Sequence, residues 1–174
     1  MNITYRDARI DDAAALKDLF AESFIDTFGD LYRPTDLQEF LDGNSDAKWH
    51  TNLSDPQVAI RVAELDGALL GFAELAPKKL PYETSAPALE LRRLYLRKKA
   101  HGTGVAQRLM EWLLEEATRR GAQELVLSVY VDNHRARRFY ERYGFEAVGK
   151  YDFMVGSQAD EDLILRHTIM KAAP

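Results

Sequence analysis

The chain has 174 residues, 46% of them hydrophobic and 29% charged, which suits one soluble globular domain. A net charge of −5 argues against nucleic acid as the partner, and the absence of cysteine excludes disulfides, a thiol nucleophile and a thiolate metal site. No run approaches 18 uninterrupted apolar residues, so no membrane partner is expected; the start, with Asp7, Asp11 and Asp12, is unlike a secretion signal, and the composition is compatible with a reducing cytoplasm.

Residues 3–6 read as a short strand. Asp11 or Asp12 can cap a helix whose apolar positions, Leu16, Leu19, Phe20, Phe24 and Phe28, recur at helical spacing. Residues 34–53 read as one or two short helices, broken at Gly43 and Asn44. Two apolar runs, 58–65 and 68–76, flank Asp66-Gly67, a strong signal for a two-residue hairpin. Residues 77–87 hold three prolines and form a loop. The stretch 102–120 is a helix with Val105, Leu109, Trp112, Leu113 and Ala117 as its buried stripe and Gly121 as its stop. Residues 125–131 are nearly all apolar, as a central parallel strand is. Asn133 opens a short helix that ends at Gly144, and residues 145–151 and 162–169 close the chain as strands.

Residues 88–97 form a strand with a phase slip. Leu89 and Leu91 occupy odd positions, Leu94 and Leu96 even ones, yet a strand repeats every two residues. One extra residue near Arg92 and Arg93, a β-bulge, restores the register; a strand buried on both faces without a bulge is the alternative.

Lys99-Ala-His-Gly-Thr-Gly104 joins that strand to the next helix. Gly102 and Gly104 allow a sharp turn and close approach to a ligand, and the helix start offers unpaired N–H groups and partial positive charge. Together they suit a pyrophosphate, with Lys98, Lys99 and His101 as further donors. A lone Gly-x-Gly is weak evidence, since a plain tight turn has the same pattern. No Walker loop is present, and Gln107 stands where a dinucleotide fingerprint has its third glycine.

The more specific signal is Asn133-His-Arg-Ala136-Arg-Arg-Phe139-Tyr140-Glu-Arg-Tyr143-Gly144-Phe145. This motif and the glycine turn, in that order over residues 88–149, resemble the GNAT superfamily of N-acetyltransferases. The strand from Glu90 to Leu96, residues 71–75 and the helices of 30–55 are similar to its spermidine/spermine N-acetyltransferase branch. The resemblance implies an α/β (α+β) fold: a single domain over residues 1–174, with a mixed twisted sheet of about seven strands, a splayed, bulged central strand and helices on both faces. It implies acetyl-CoA as cofactor, with no metal. The cofactor would be held by Leu94, Tyr95, Leu96, Lys99, His101, Gly102, Thr103, Gly104, Val105, Ala106, Asn133 and Tyr140. Lys99 stands where the family has Arg or Gln, and His101 where Lys or Arg is common.

The implied activity is direct transfer of an acetyl group to a primary amine, a polyamine or other small amine before protein N-termini or lysines. Tyr140 is expected to support the departing thiolate and Glu90 to act as base, with Glu74 and His134 as lesser candidates. Acidic residues at 30, 36, 39, 42 and 46 could attract a polycation, or could simply face solvent. A catalytically silent acyl-CoA sensor is the rival reading of the same fold. A DNA-binding use of Arg135, Arg137 and Arg138 conflicts with the acidic charge. A homodimer stays open.

Overall fold

The computed structural model describes residues 2–170. Seven strands form one sheet in the order β1-β2-β3-β4-β5-β7-β6. In chain order the elements are β1 (Thr4–Asp7), α1 (Ala13–Phe28), α2 (Pro34–Asp42), α3 (Asp46–Ser54), β2 (Ala59–Leu65), β3 (Ala68–Pro77), β4 (Ala88–Leu96), α4 (Val105–Arg119), β5 (Glu124–Tyr130), α5 (His134–Arg142), β6 (Glu146–Val155) and β7 (Gln158–Thr168). Among the described residues, no helix is long and apolar enough to cross a membrane.

Local chemistry explains most boundaries. Pro34 begins α2, where its missing N–H costs nothing. The Ser45 hydroxyl caps α3 by accepting from Lys48 N–H at 3.3 Å. Asp12 does not cap α1 as expected. Its carboxylate instead accepts from Arg6 Nη1 and from Arg9 N–H, each at 2.7 Å, which fixes the turn before the helix. α4 starts at Val105 and not at 102, because Gly102 and Gly104 hold positive φ.

β6 and β7 are longer than the sequence pattern indicated, running out to a turn at residues 156–157. The outer end of β7 is mostly polar, whereas that of β6 alternates, with Phe153 and Val155 turned inward and Asp152 and Met154 exposed. Both ends are held from outside, by Asp36 of α2 accepting from Ser157 N–H at 2.9 Å.

The two faces of the sheet carry separate cores. Leu75, Leu109, Leu113 and Leu125 pack on the α4 face; Leu16, Phe20, Trp49 and Phe72 pack on the α1 face. β4 and β5 are parallel, joined through α4, and pair only across residues 88–90 and 124–126. Beyond Glu90 the two strands part.

The parting coincides with the expected bulge. Glu74 of β3 faces Arg93 and Leu75 faces Leu91, so Arg92 is the extra residue. Successive strand side chains normally point to opposite faces, yet Arg92 and Arg93 both reach the Glu74 carboxylate, at 3.4 and 2.8 Å. Glu74 is 0% exposed. Arg93 also donates to Asn44 Oδ1 at 2.8 Å and lies over the rings of Trp49 and Phe20, 4.6 and 5.1 Å from their centroids. Removing one partner of a buried ion pair strands the other charge and costs about 3–5 kcal/mol. Glu74→Ala is therefore expected to lose about that much stability, read from the urea unfolding midpoint.

Candidate active site

A cavity of about 500 Å³ occupies the gap where β4 and β5 part, and it is lined from both faces of the sheet. Leu91 to Leu96 form one wall and residues 128–130 the other. Because β5 has turned away, one edge of β4 past residue 90 has no strand partner, and its backbone groups can pair with an extended amide-bearing arm.

At one end lies the glycine turn. Gly102 and Gly104 have φ of 75° and 88°. A Cβ on Gly102 would meet no protein atom within 4 Å, so the demand there is on the backbone, not on space. Gly104 caps α4 without a side chain, and the first helical bond runs from Arg108 N–H to the Gly104 carbonyl at 3.1 Å. The N–H groups of residues 105–107 therefore lack helical acceptors.

Of the residues expected to hold a cofactor, Leu94, Tyr95, Leu96, His101, Gly102, Gly104, Ala106, Asn133 and Tyr140 border the cavity. Lys99, Thr103 and Val105 do not. Lys99 is exposed, Val105 is fully buried in the α4 core, and the Thr103 hydroxyl donates to the Ala100 carbonyl at 2.6 Å. Lys98 is paired with Asp26 at 3.2 Å. His101 Nδ1 lies 3.0 Å from Arg135 Nη1; burial first, then the Arg135 charge, holds its pKa below the usual value, so it is neutral at pH 7.

Among the described residues, cations without a carboxylate partner reach this mouth from α5. Arg135, Arg138 and Arg142 border the cavity from one stripe of that helix. Their three- and four-residue spacing is visible in the sequence; of the three, Arg135 and Arg138 belong to the set considered for DNA binding, and Arg142 does not. Backbone N–H donors, guanidinium groups and a free strand edge fit an anionic pyrophosphate carrying an amide arm.

Tyr140 is 8% exposed, borders the cavity, and its hydroxyl has no hydrogen-bond partner among the described residues. Burial pushes its pKa far above that of an ordinary phenol, so it is a protonated donor. Asn133 caps α5, its Oδ1 accepting from Ala136 N–H at 3.3 Å.

Glu90 is not brought to the cavity. Its Oε2 accepts from Lys79 N–H at 2.7 Å and Leu80 N–H at 3.1 Å, pinning the proline-containing loop. Glu74 and His134 do not border the cavity either. Glu74 is consumed by the bulge, and His134 is exposed at the start of α5.

The cavity wall also holds residues that the sequence reading missed. Asp160 and Asp162 of β7 border it, with Ser23, Phe24, Phe28 and Tyr32 from the α1 side. The Tyr32 hydroxyl donates to Asp160, which also accepts from Gln158 Nε2 at 3.2 Å. Burial pushes Asp162 up to about 6, against a hydrogen bond from Ser128 and with help from the Asp160 charge. Asp160 lay outside any expected element, and two aspartates alternating on an inward strand face were the available signal.

A seven-stranded sheet whose bulged strand splays open beside a glycine turn at a helix start defines the acyl-transfer class of α/β fold. The acetyltransferase (GNAT) family matches residues 14–145, and the chain belongs to that family. It is an N-acetyltransferase, with acetyl-CoA as the family's donor. An uncharacterised N-acetyltransferase of Mycobacterium tuberculosis is 35% identical over 133 residues, 76% of this chain and 81% of the relative. The PaiA N-acetyltransferase of Thermoplasma acidophilum, solved in complex with coenzyme A, superposes with a TM-score of 0.77 at 23% identity, covering 97% of this chain and 99% of that one. The ribosomal-protein-S18-alanine N-acetyltransferase of Escherichia coli has a TM-score of 0.72 at 17% identity, covering 99% and 97%.

Two outcomes follow from this geometry. Gly104→Ala forces an L side chain into the left-handed region at a cost of about 1–2 kcal/mol, so calorimetric coenzyme A binding is expected to weaken roughly tenfold. Asp162 is an acid whose folded pKa is raised from 3.8 to about 6, so the folded state binds more protons and stability falls as pH rises through that window. Asp162→Asn is therefore expected to raise the melting temperature at pH 8, by the equivalent of about 2 kcal/mol, and to change little at pH 4.

Proposed function

We propose that the enzyme transfers an acetyl group from acetyl-CoA directly to a primary amine of a small molecule, with polyamine-like acceptors of the spermidine/spermine kind favoured over protein termini. The carrying observation is one cavity bordered by the arginines of α5, the glycine turn at the start of α4 and the buried carboxylates of β7. The PaiA relative's binding of coenzyme A supports the donor assignment.

Bound acetyl-CoA would supply an activated acyl carbon and a thiolate leaving group. The β4 edge from Leu94 to Leu96 would align its amide arm. Gly102, Gly104, Ala106 and the α5 arginines would take its phosphates. These residues hold the donor against the amine, and such positioning supplies much of the rate in bimolecular transfer.

Tyr140 is proposed to donate a hydrogen bond to the leaving sulfur. A phenol made less acidic by burial gives up no proton to a thiolate whose conjugate acid lies near 8.5, so it stabilises charge without transferring a proton. Glu90, with its carboxylate already accepting two backbone N–H bonds, is proposed to set the proline-containing loop and not to serve as base. The acceptor must arrive neutral. An alkylamine of pKa near 10.4 is only about 0.04% neutral at pH 7, so the rate with limiting amine is expected to climb about tenfold per pH unit up to pH 9.

Thiol release from acetyl-CoA over a panel of polyamines, peptides and aminoglycosides tests the reading. Turnover with at least one primary amine is expected. Tyr140→Phe should lower kcat by about 10²-fold, the scale of one lost donor to developing charge. Glu90→Gln keeps an oxygen acceptor for the loop and should stay within about threefold of wild type, whereas a true general base contributes about 10²–10⁴-fold. Tight acetyl-CoA binding without turnover on any amine would favour a silent sensor.

A further inference from the structure

We propose that Asp160 and Asp162 bind a second, non-reacting cationic nitrogen of the acceptor, so that the enzyme selects diamines and longer polyamines over monoamines. This rests on the acetyl-transfer reading above and assigns acceptor choice within it.

The two carboxylates are 8% and 5% exposed, and both border the cavity. Among the described residues, no cation of the chain forms an ion pair with either. A buried carboxylate without a countercharge is costly, and an incoming ammonium removes the cost. Ser23 gives independent evidence of a missing ligand. It is 3% exposed, borders the same cavity, and its Oγ has no hydrogen-bond partner among the described residues. Buried hydroxyls are rarely left so.

The walls suit an alkylammonium. Phe28 packs against Phe24 at 5.1 Å and edge-on to Tyr130 at 6.3 Å between ring centroids, and all three border the cavity. Aromatic faces attract cations and cover methylene groups. Polar neighbours of the pair are Tyr32 and Gln158, which already donate to Asp160, and Ser128, which serves Asp162.

The nitrogen held there is not the one acetylated. Attack needs a neutral amine, and two carboxylates stabilise the charged form. Asp162 is also too weak a base for the task, since moving a proton to it from an alkylammonium is unfavourable by about 10⁴-fold. The acceptor therefore carries one nitrogen for reaction and another for recognition.

The acidic residues expected to attract a polycation do not do so at the cavity. Asp30, Asp36, Glu39, Asp42 and Asp46 are all absent from its walls. Asp36 is tied to Arg33 and Ser157, Asp42 accepts from Gln38 Nε2, and Asp46 pairs with Lys17.

The test compares kcat/KM for 1,4-diaminobutane and n-butylamine at pH 8, in wild type and in Asp162→Asn and Asp160→Asn. Calorimetry measures 1,4-diaminobutane binding to the coenzyme A-loaded protein, and coenzyme A affinity itself reports on folding. Wild type should prefer the diamine at least tenfold. Either variant, with coenzyme A affinity kept, should bring the ratio close to one, chiefly through the diamine KM, and should weaken diamine binding at least tenfold. Turnover without diamine preference, or a preference unmoved in both variants, overturns the proposal and leaves acetyl transfer standing. Aspartate-dependent diamine binding without turnover on any amine supports the subsite and overturns the catalytic reading. Neither binding nor turnover overturns both.

Discussion

Everything at the centre of this molecule depends on one buried carboxylate, Glu74, which holds both Arg92 and Arg93. Two adjacent residues of a regular strand cannot reach the same partner; they can do so only across a bulge. The bulge bends β4, and beyond residue 90 the bent strand no longer pairs with β5. Taking three charges out of water is no efficient way to gain stability. Its return is geometric: a sheet held open at its middle, with the aromatic surfaces of Trp49 and Phe20 covering the Arg93 guanidinium.

The open region is also where the fold tolerates its least comfortable groups. Among the described residues, Asp162 is buried without a countercharge, Ser23 Oγ and the buried Tyr140 hydroxyl have no hydrogen-bond partner, and two glycines of the turn hold left-handed backbone. None of these helps folding. Such features persist where surrounding packing over-determines them, and they mark surfaces prepared for a ligand. The well-packed Leu75, Leu109, Leu113 and Leu125 on the α4 face supply that surrounding rigidity.

The cavity carries both signs of charge. Arginines of α5 and helix N–H groups border it together with aspartates of β7, although the chain as a whole is acidic. An anionic donor and the proposed cationic acceptor would each meet groups of opposite sign within one cavity, a selectivity that net charge alone does not provide.

The sequence by itself determined the elements with strong local signals. These are the Asp66-Gly67 hairpin, the helical stripe of α4, the two paired motifs that mark the family, and the phase slip that announced a bulge. Each depends on neighbours a few residues apart, so periodicity and turn chemistry suffice to read it. The tertiary structure alone decided what surrounds each charge. Glu90 carries the right chemistry for a base but spends it on the backbone of residues 79 and 80, eleven and ten positions away through a folded loop. Asp160 and Asp162 looked like ordinary polar residues, because their burial comes from α1 and Tyr32, more than a hundred residues earlier. Helical spacing showed the α5 arginines as a stripe but not which surface the stripe would meet. Desolvation and ion pairing are properties of the assembled neighbourhood, and the function of a carboxylate or a guanidinium is set there.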